Sequence, residues 1–265
     1  MSGYLILDTV FEVDCDDLIV AAELSRLLAV FEGEQPTGPE TIRITVRHTP
    51  RGLRVSAEGQ GKDPATDEDL DPDAAIGQVV GIVNRTALAL AHAYAVHAGV
   101  VAVARGAVAF PGPSGSGKST LVAACLRQGL GYVSDEALCV NPQTEFVQPY
   151  PRPLALDPWS ARAVGLQPIA DERYVTADEL GAVTQVEPLP LADCVLLDRR
   201  TGPASLDQVS RNDLLAALLR RSFTGWRNPE AAFELVQRLV SGCGSWRLTY
   251  DDPAEAARLI RDRLS

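Results

Sequence analysis

The sequence has little lysine and no basic stripe. Lys62 and Lys118 are the only lysines among its 24 basic side chains, and 35 acidic side chains leave a net charge of −11. Most of that charge lies in residues 1–96, which hold 16 acidic and 7 basic side chains, against 19 and 17 in residues 97–265. Proteins that bind bulk nucleic acid concentrate positive charge on one face. We therefore expect no nucleic-acid partner.

Paired cysteines and a long apolar run are also missing. The five cysteines are scattered and never spaced as Cys-x-x-Cys, which predicts buried thiols in a reducing compartment. Nothing after Met1 resembles a secretory signal, so we expect a cytoplasmic protein. The segment Thr86–Ala104 carries no charge, but it is rich in alanine and changes period midway. We predict a helix that runs into a strand there, and no membrane partner.

What is present indicates a globular protein. Hydrophobic residues make up 46% and charged residues 22% of the 265 residues, which is usual for a protein that folds around a core. The length allows one large domain or two small ones. We predict a smaller α+β region over residues 1–96, without a recognisable catalytic group, and a second domain over residues 97–265.

Residues 1–96 alternate between strand and helix patterns. Runs rich in β-forming residues predict strands, and apolar residues at helical spacing predict helices. An acidic, glycine-containing stretch predicts a mobile loop. The predicted strands are Tyr4–Phe11 and a hairpin of Thr41–Val46 with Leu53–Ala57, the helices are Asp16–Phe31 and Ala74–Val96, and the loop is Glu58–Asp73.

The C-terminal third has well-marked helix starts among β-rich runs. Three capping side chains precede a proline at the first helical position, and two further patterns resemble capping boxes. The starts are Asp157-Pro158, Asn228-Pro229 and Asp252-Pro253, the boxes run from Thr176 to Glu179 and from Ser210 to Asp213, and the β-rich runs are Cys194–Leu197 and Trp246–Tyr250. This alternation predicts the α/β fold class, with a mixed α+β sheet.

A nine-residue segment carries the strongest motif. Two apolar runs, Gly99–Ala104 and Ala107–Phe110, predict a hairpin that leads into Gly112-Pro-Ser-Gly-Ser-Gly-Lys-Ser-Thr120, and a helix is predicted to follow. A glycine-rich turn between a strand and a helix directs backbone N–H groups at a phosphate. Lys118 would lie between the β- and γ-phosphates, and the Ser119 hydroxyl on Mg²⁺. The pattern predicts binding of ATP or GTP by Gly112, Ser114, Gly115, Ser116, Gly117, Lys118, Ser119 and Thr120.

Two acidic positions compete as the metal ligand beside that loop. Asp135 and Glu136 follow a helix and the short strand Tyr132-Val133, whereas Asp198 ends a later apolar run. Asp198 would suit a motor-type ATPase, or would simply begin the turn after its strand. No lysine follows Lys118, so the Asn-Lys-x-Asp guanine reader of GTPases is absent, as is the Leu-Ser-Gly-Gly signature of ABC ATPases.

The segments between His97 and Val140 follow one another in a distinctive order. His97-Ala-Gly-Val-Val, a hairpin, the phosphate-binding pattern, a helix ending in glycine, and Tyr132-Val-Ser-Asp-Glu136 occupy about 45 residues. This order resembles the catalytic core of the HPr serine kinase/phosphorylase family, which shares its fold with phosphoenolpyruvate carboxykinase. Two later stretches, Tyr150-Pro-Arg-Pro-Leu and Trp246-Arg-Leu-Thr-Tyr, resemble the short HPr-kinase-like proteins of peptide-modification clusters, including lasso-peptide tail kinases.

The resemblance implies roles for individual residues. Asp135 and Glu136 would divide two tasks: binding Mg²⁺ together with Ser119, and accepting the proton of the substrate hydroxyl. Asp135 is the favoured base. His97 would lie near the γ-phosphate, where it would orient the acidic pair or stabilise the transferring charge; the alternative is a core histidine at a helix–strand junction.

Phosphoryl transfer also requires a cation near the γ-phosphate. Arg152 is the first choice, because the prolines on either side restrict its backbone. A lid hinged at Gly225 is another source, and its arginines are Arg220, Arg221 and Arg227. Trp226 in that segment could shape a pocket, although we expect an ordinary packed tryptophan. His92 is expected on a helix face in a structural role.

The departures from the family narrow the expected activity. The usual acidic pair is Asp-Asp, whereas this chain has Asp135-Glu136, and the C-terminal signature of the bifunctional enzymes is missing. Both argue against phosphorylase activity and against HPr as the acceptor. The resemblance implies an ATP- and Mg²⁺-dependent kinase acting on a serine-like hydroxyl of a peptide, protein or small metabolite. The alternatives are a nucleotide-binding regulatory or accessory module with little catalysis, and a motor-type ATPase. The oligomeric state stays open, and a homo-oligomer is compatible with the resemblance.

Overall fold

A computed structural model describes residues 2–33, 40–59, 69–167 and 173–265. The chain divides into two compact units between His92 and Ala93. The domain boundary that the sequence predicts, after residue 96, lies slightly further along, because the first strand of the second unit already begins at Tyr94. Each unit combines helices with a sheet of mixed strand direction, so the protein has mixed α and β structure.

The first unit has a four-stranded sheet and two helices. Its strands are β1 (Ser2–Ile6), β2 (Thr9–Cys15), β3 (Glu40–Thr49) and β4 (Gly52–Glu58), in that spatial order. β2 and β3 run parallel, and the β3–β4 hairpin has the position that the sequence predicts. The helices are α1 (Leu18–Leu28), which continues into a 3₁₀ turn (Ala29–Phe31), and α2 (Pro72–Leu90). Most of the predicted mobile loop, residues 60–68, lies outside the described residues.

Two helix and strand predictions for this region are wrong in extent. The β-rich run Tyr4–Phe11 spans two strands, because the chain turns at Leu7, which has a φ of +53°. The helix predicted to reach Val96 ends at Leu90, because residues from Tyr94 onward pair with a strand of the second unit. The uncharged segment is therefore a helix followed by a strand, as predicted.

His92 is not on a helix face. It follows α2, its side chain is 87% exposed, and its Nδ1 lies 3.3 Å from Asp8 Oδ2. The prediction of a helical position fails because no glycine or proline marks the end of α2 in the sequence. The exposed imidazole has no part in a core.

The second unit is built on an eight-stranded mixed sheet. Its strands are β5 (Tyr94–Val103), β6 (Gly106–Pro111), β7 (Gly131–Ser134), β8 (Ala137–Val140), β9 (Val147–Gln148), β12 (Leu191–Arg199), β13 (Ser205–Gln208) and β14 (Gly244–Tyr250). The spatial order is β13-β14-β12-β6-β5-β8-β9, and β7 pairs with β5. β6, β12 and β14 run parallel, whereas β5 is antiparallel to its neighbours. A separate pair joins β10 (Leu154–Leu156) and β11 (Arg173–Val175).

Helices cover both faces of this sheet. α3 (Lys118–Arg127) and α7 (Pro253–Leu264) share one hydrophobic core, and α5 (Arg211–Arg220) and α6 (Pro229–Gly242) share the other. α4 (Pro158–Ala163) packs beside α3. Because side chains alternate along a strand, Val100 and Val101 of β5 belong to opposite cores.

The predicted helix starts are confirmed by their capping bonds. Asp157, Asn228 and Asp252 each accept a hydrogen bond from a first-turn N–H, with proline at the first helical position. Ser210 accepts from Asp213 N and donates to its carboxylate at the start of α5. The other predicted box is incomplete: Thr176 N donates to Glu179, but only a 3₁₀ turn, Asp178–Leu180, follows.

Four of the five cysteines have the buried environment that the sequence predicts. All five cysteines are free; four are buried and Cys15 is half-buried. Among the described residues, no helix is both long enough and apolar enough to cross a membrane.

Candidate active site

The glycine-rich segment joins the central strand β6 to α3. It has a strand before it and a helix after it, although the hairpin that feeds it turns at Ala104-Arg105, one residue earlier than predicted. Gly117 precedes α3 with a φ of +87°, and a Cβ there would lie 3.1 Å from Tyr250 Oη. Only glycine suits this turn. The N-terminus of α3, where backbone N–H groups lack helical partners, therefore faces the loop.

Strand β5 supports both the loop and the helix. Gly112 N donates to His97 O at 3.2 Å. Further along β5, a Cβ on Gly99 would lie 2.6 Å from Val122 Cγ2 of α3. The close approach at Gly99 seats α3 directly on the strand that carries His97.

Lys118 spans the loop from the first position of α3. Its side chain is buried, and Nζ donates to Pro113 O at 2.8 Å. Burial lowers the pKa of Lys118, whereas the nearby carboxylates of Glu136 and Asp135 raise it. Within the described residues, the buried Ser116 Oγ has no hydrogen-bond partner. A buried cation and an unsatisfied hydroxyl in one loop suit an anionic ligand.

The two adjacent carboxylates after β7 lie at the start of α3. Asp135 is only 3% exposed, and its Oδ1 accepts from the Tyr132 hydroxyl at 3.2 Å. Burial raises the pKa of Asp135, and so does Glu136, whereas Arg152, Ser119 and Tyr132 lower it; the net direction is upward. Glu136 is more exposed. One carboxylate is thus held inside the site and the other at its edge.

Arg152 joins these two carboxylates. Its Nη1 donates to Glu136 Oε2 at 3.0 Å, and its Nε lies 3.5 Å from Asp135 Oδ1. Burial disfavours the guanidinium charge, but Asp135, Tyr150 and Glu136 outweigh that effect and raise the pKa of Arg152. The arginine chosen from the sequence is therefore in the same cluster as the acidic pair.

Tyr132 holds this cluster together, a role that the sequence analysis did not predict. Its hydroxyl donates to Arg152 O at 2.6 Å and lies 3.2 Å from Asp135 Oδ1. The side chain is fully buried. The sequence predicts Tyr132 only as part of a short strand, and its one further signal is a tyrosine three residues before an acidic residue.

His97 lies on β5 beside the acidic pair. Its Nε2 is 3.9 Å from Glu136 Oε1, and its ring stacks at an angle on Phe223, with 5.4 Å between centroids. Burial lowers the pKa of His97 to about 4, and the positive charges of Lys118 and Arg221 contribute. The imidazole is therefore neutral near pH 7, and it lies within a strand rather than at a helix–strand junction.

The depressed pKa of His97 predicts a stability change with pH. The unfolded chain takes up a proton at this residue near pH 6.5, whereas the folded protein does so only near pH 4. The stabilisation is therefore complete above pH 6.5 and is lost as the pH falls to about 4. We expect His97→Gln to reduce the loss of folding free energy over this range, as measured by urea unfolding at several pH values. Equal pH slopes for both proteins would contradict the prediction.

These side chains line a cavity of about 320 Å³. It contains all but two of the predicted site residues. The lining residues are His97, Ser114, Gly115, Gly117, Lys118, Ser119, Thr120, Asp135, Glu136, Arg152, Ala155, Asp157, Trp159, Ser160 and Arg199. Gly112 and Ser116 belong to the loop without lining the cavity. Trp159, Ser160 and Arg199 are lining residues that sequence reasoning missed.

The competing candidates lie elsewhere. Asp198 is outside the cavity lining and accepts from Arg200 Nε at 2.8 Å, on the sheet face opposite α3. Of the lid arginines, Arg221 is close enough for its charge to lower the pKa of His97.

Trp226 is 74% exposed, so the expectation of a packed tryptophan is wrong: its Nε1 donates to Phe223 O and the ring remains outside the core.

The donor set at the cavity consists of oxygen atoms. The described residues contain no group of three or more His, Cys, Asp or Glu side chains suited to a metal ion, but Ser119, Asp135 and Glu136 bring a hydroxyl and two carboxylates together. Mg²⁺ commonly uses one or two carboxylates and completes its shell with water and phosphate.

No protein-family model matches the chain, and a comparison with curated proteins finds no similar sequence.

Proposed function

We propose that the protein is an ATP- and Mg²⁺-dependent kinase of the HPr-kinase-like type, which transfers the γ-phosphoryl group to a hydroxyl acceptor. The observation that carries this proposal is the buried carboxylate of Asp135, which lines the same cavity as Lys118 and Ser119, the first-turn hydroxyl after the loop. Arg152 and Tyr132 hold this carboxylate beside the N-terminus of the loop helix. A proton acceptor at a phosphate site requires that position.

The loop and the acidic pair have separate tasks. Loop N–H groups and Lys118 would bind the β- and γ-phosphates. Ser119 and Glu136, with Asp135 adjacent, would hold Mg²⁺, which neutralises charge on the phosphates when bound. Arg152 contacts both carboxylates through different nitrogen atoms. It therefore fixes the orientation of each carboxylate, and its positive charge offsets part of their negative charge.

Asp135 would act on the acceptor. The acceptor oxygen forms the new bond to the γ-phosphorus as the bond to the bridging oxygen of ADP breaks, and the hydroxyl proton passes to Asp135. Its raised pKa, caused chiefly by burial, makes it a better proton acceptor than an exposed carboxylate. Tyr132 and Arg152 hold the carboxylate in one orientation. His97, neutral near pH 7, adds no positive charge beside the transferring group.

The first test is a transfer assay with γ-labelled ATP and Mg²⁺. A peptide and metabolite extract of the source organism serves as acceptor, and acid-stable label is followed by chromatography and mass spectrometry. We expect a labelled acceptor with the wild-type protein and none with Lys118→Ala, which removes the buried cation of the loop. Asp198→Asn is the matched control and should label normally.

Other outcomes identify the alternatives. Tight ATP binding without a labelled product in any fraction would favour a nucleotide-binding module. Acceptor-independent hydrolysis that stops in Asp198→Asn would favour a motor-type ATPase. Either result would overturn the kinase proposal.

A further inference from the structure

A second cavity adjoins the first on the side away from the acidic pair. Its volume is about 420 Å³, and it shares Trp159 and Arg199 with the phosphate cavity. Its lining residues are Trp159, Arg162, Ala163, Arg199, Asp251, Asp252 and Pro253. The two cavities are therefore neighbours that meet at an aromatic side chain and an arginine.

Trp159 and Arg199 form a flat surface at this junction. The Arg199 guanidinium lies 4.6 Å from the centre of the Trp159 ring, and Trp159 is 45% exposed. The helix that carries Trp159 is fixed to the loop helix, because Thr120 Oγ1 and Ser160 Oγ share a hydrogen bond of 2.7 Å. An exposed indole paired with a guanidinium is a stacking surface for a planar, aromatic group.

This surface lies on the side of the loop toward which a bound nucleotide would extend. In the sheet, β5 with β7 lies on one side of β6 and β12 with β14 lies on the other. His97 and the acidic pair belong to the first side, whereas Arg199 ends β12 and Asp251 directly follows β14 on the second. A triphosphate whose γ-phosphate is at Asp135 and whose β-phosphate is in the loop extends its remaining part toward the second side.

We infer that the second cavity is the subsite for the nucleobase, which stacks against the Trp159–Arg199 pair. This inference rests on the proposed function. Asp251 at the cavity wall offers only acceptor atoms, and Asp252 already accepts from Ala254 N. The Asp251 carboxylate can accept from an exocyclic amino group such as that of adenine, and Arg162 in the same lining can donate to a ring nitrogen.

The test separates the base from the phosphates. Binding of Mg²⁺–ATP and of Mg²⁺–tripolyphosphate to the full chain is measured by calorimetry for the wild type, Trp159→Ala and Trp159→Phe. Loss of base stacking should weaken ATP binding by about tenfold or more in Trp159→Ala, with tripolyphosphate affinity unchanged. Phenylalanine retains a stacking face and should recover most of the affinity. Trp226→Ala, at an exposed tryptophan outside both cavities, is the matched control.

Each outcome has a distinct meaning. Unchanged ATP affinity in Trp159→Ala would overturn the inference and leave the phosphate site intact. Equal weakening of ATP and tripolyphosphate would also overturn it, because Trp159 would then only support the fold of the loop. Failure of the wild type to bind either ligand would overturn the proposed function itself.

Discussion

Replacing Asp135 with asparagine should lower kcat for phosphoryl transfer by about 10²- to 10⁴-fold, the usual contribution of a general base. Asparagine has the same shape, and its carbonyl oxygen can still accept from Tyr132. It cannot take up the proton of the acceptor hydroxyl. ATP affinity, measured by calorimetry, should change little, because Lys118 and the loop N–H groups remain. Single-turnover assays on the labelled acceptor would measure the effect.

The pH dependence and a second variant sharpen this prediction. Because burial raises the pKa of Asp135, the acid limb of the kcat profile should lie above the ordinary range of an aspartate. Glu136→Gln should instead raise the Mg²⁺ concentration needed for half-maximal rate, since Glu136 is assigned to the metal. If Glu136→Gln removed the acid limb and Asp135→Asn preserved it, the two roles would be exchanged.

The central part of the site could be predicted because it is local in sequence. The loop from Gly112 to Thr120 has its own signature, and the acidic pair follows after one helix and one strand. Arg152 could be chosen because neighbouring prolines restrict its backbone. In each case, the information lies within a short segment whose conformation is set by its own residues.

The residues that were missed reach the site through packing between distant segments. Arg199 lies at the site because β12 pairs in parallel with β6, whose end leads into the loop. Ligands bind beyond the carboxyl ends of parallel strands, but this rule identifies Arg199 only when the pairing of β12 with β6 is known. Trp159 depends on the bond between Ser160 and Thr120. Neither contact has a sequence signature, so composition and spacing could not reveal them.

The two errors in the fold have different origins. The end of α2 at Leu90 is decided by the pairing of Tyr94 with Val140 rather than by a local stop signal. Trp226 was expected to be packed because large aromatic residues usually are, yet its segment lies at the surface. Tertiary pairing overrode periodicity in the first case, and average burial failed in the second.

Arg152→Met should produce the largest loss of stability of any single change in the cluster. Removal of the guanidinium leaves Asp135 buried without its nearest cation, and breaking a buried pair in this way costs about 3–5 kcal/mol. Arg200→Met is the matched control: its partner Asp198 is also an aspartate, but the arginine is 70% exposed, so the cost should stay below about 1 kcal/mol. Urea unfolding at pH 8 would measure both free energies of unfolding.

The sign of the pH dependence separates this mechanism from lost packing. Without Arg152, the pKa of Asp135 rises further above its unfolded value, so the folded state binds the proton more tightly than the unfolded chain. The deficit of Arg152→Met should therefore shrink as the pH falls and grow as it rises through the folded-state pKa. Adding Asp135→Asn, which removes the buried charge, should recover part of the lost free energy. A deficit that is independent of pH and unrelieved in the double variant would show that Arg152 acts by packing alone.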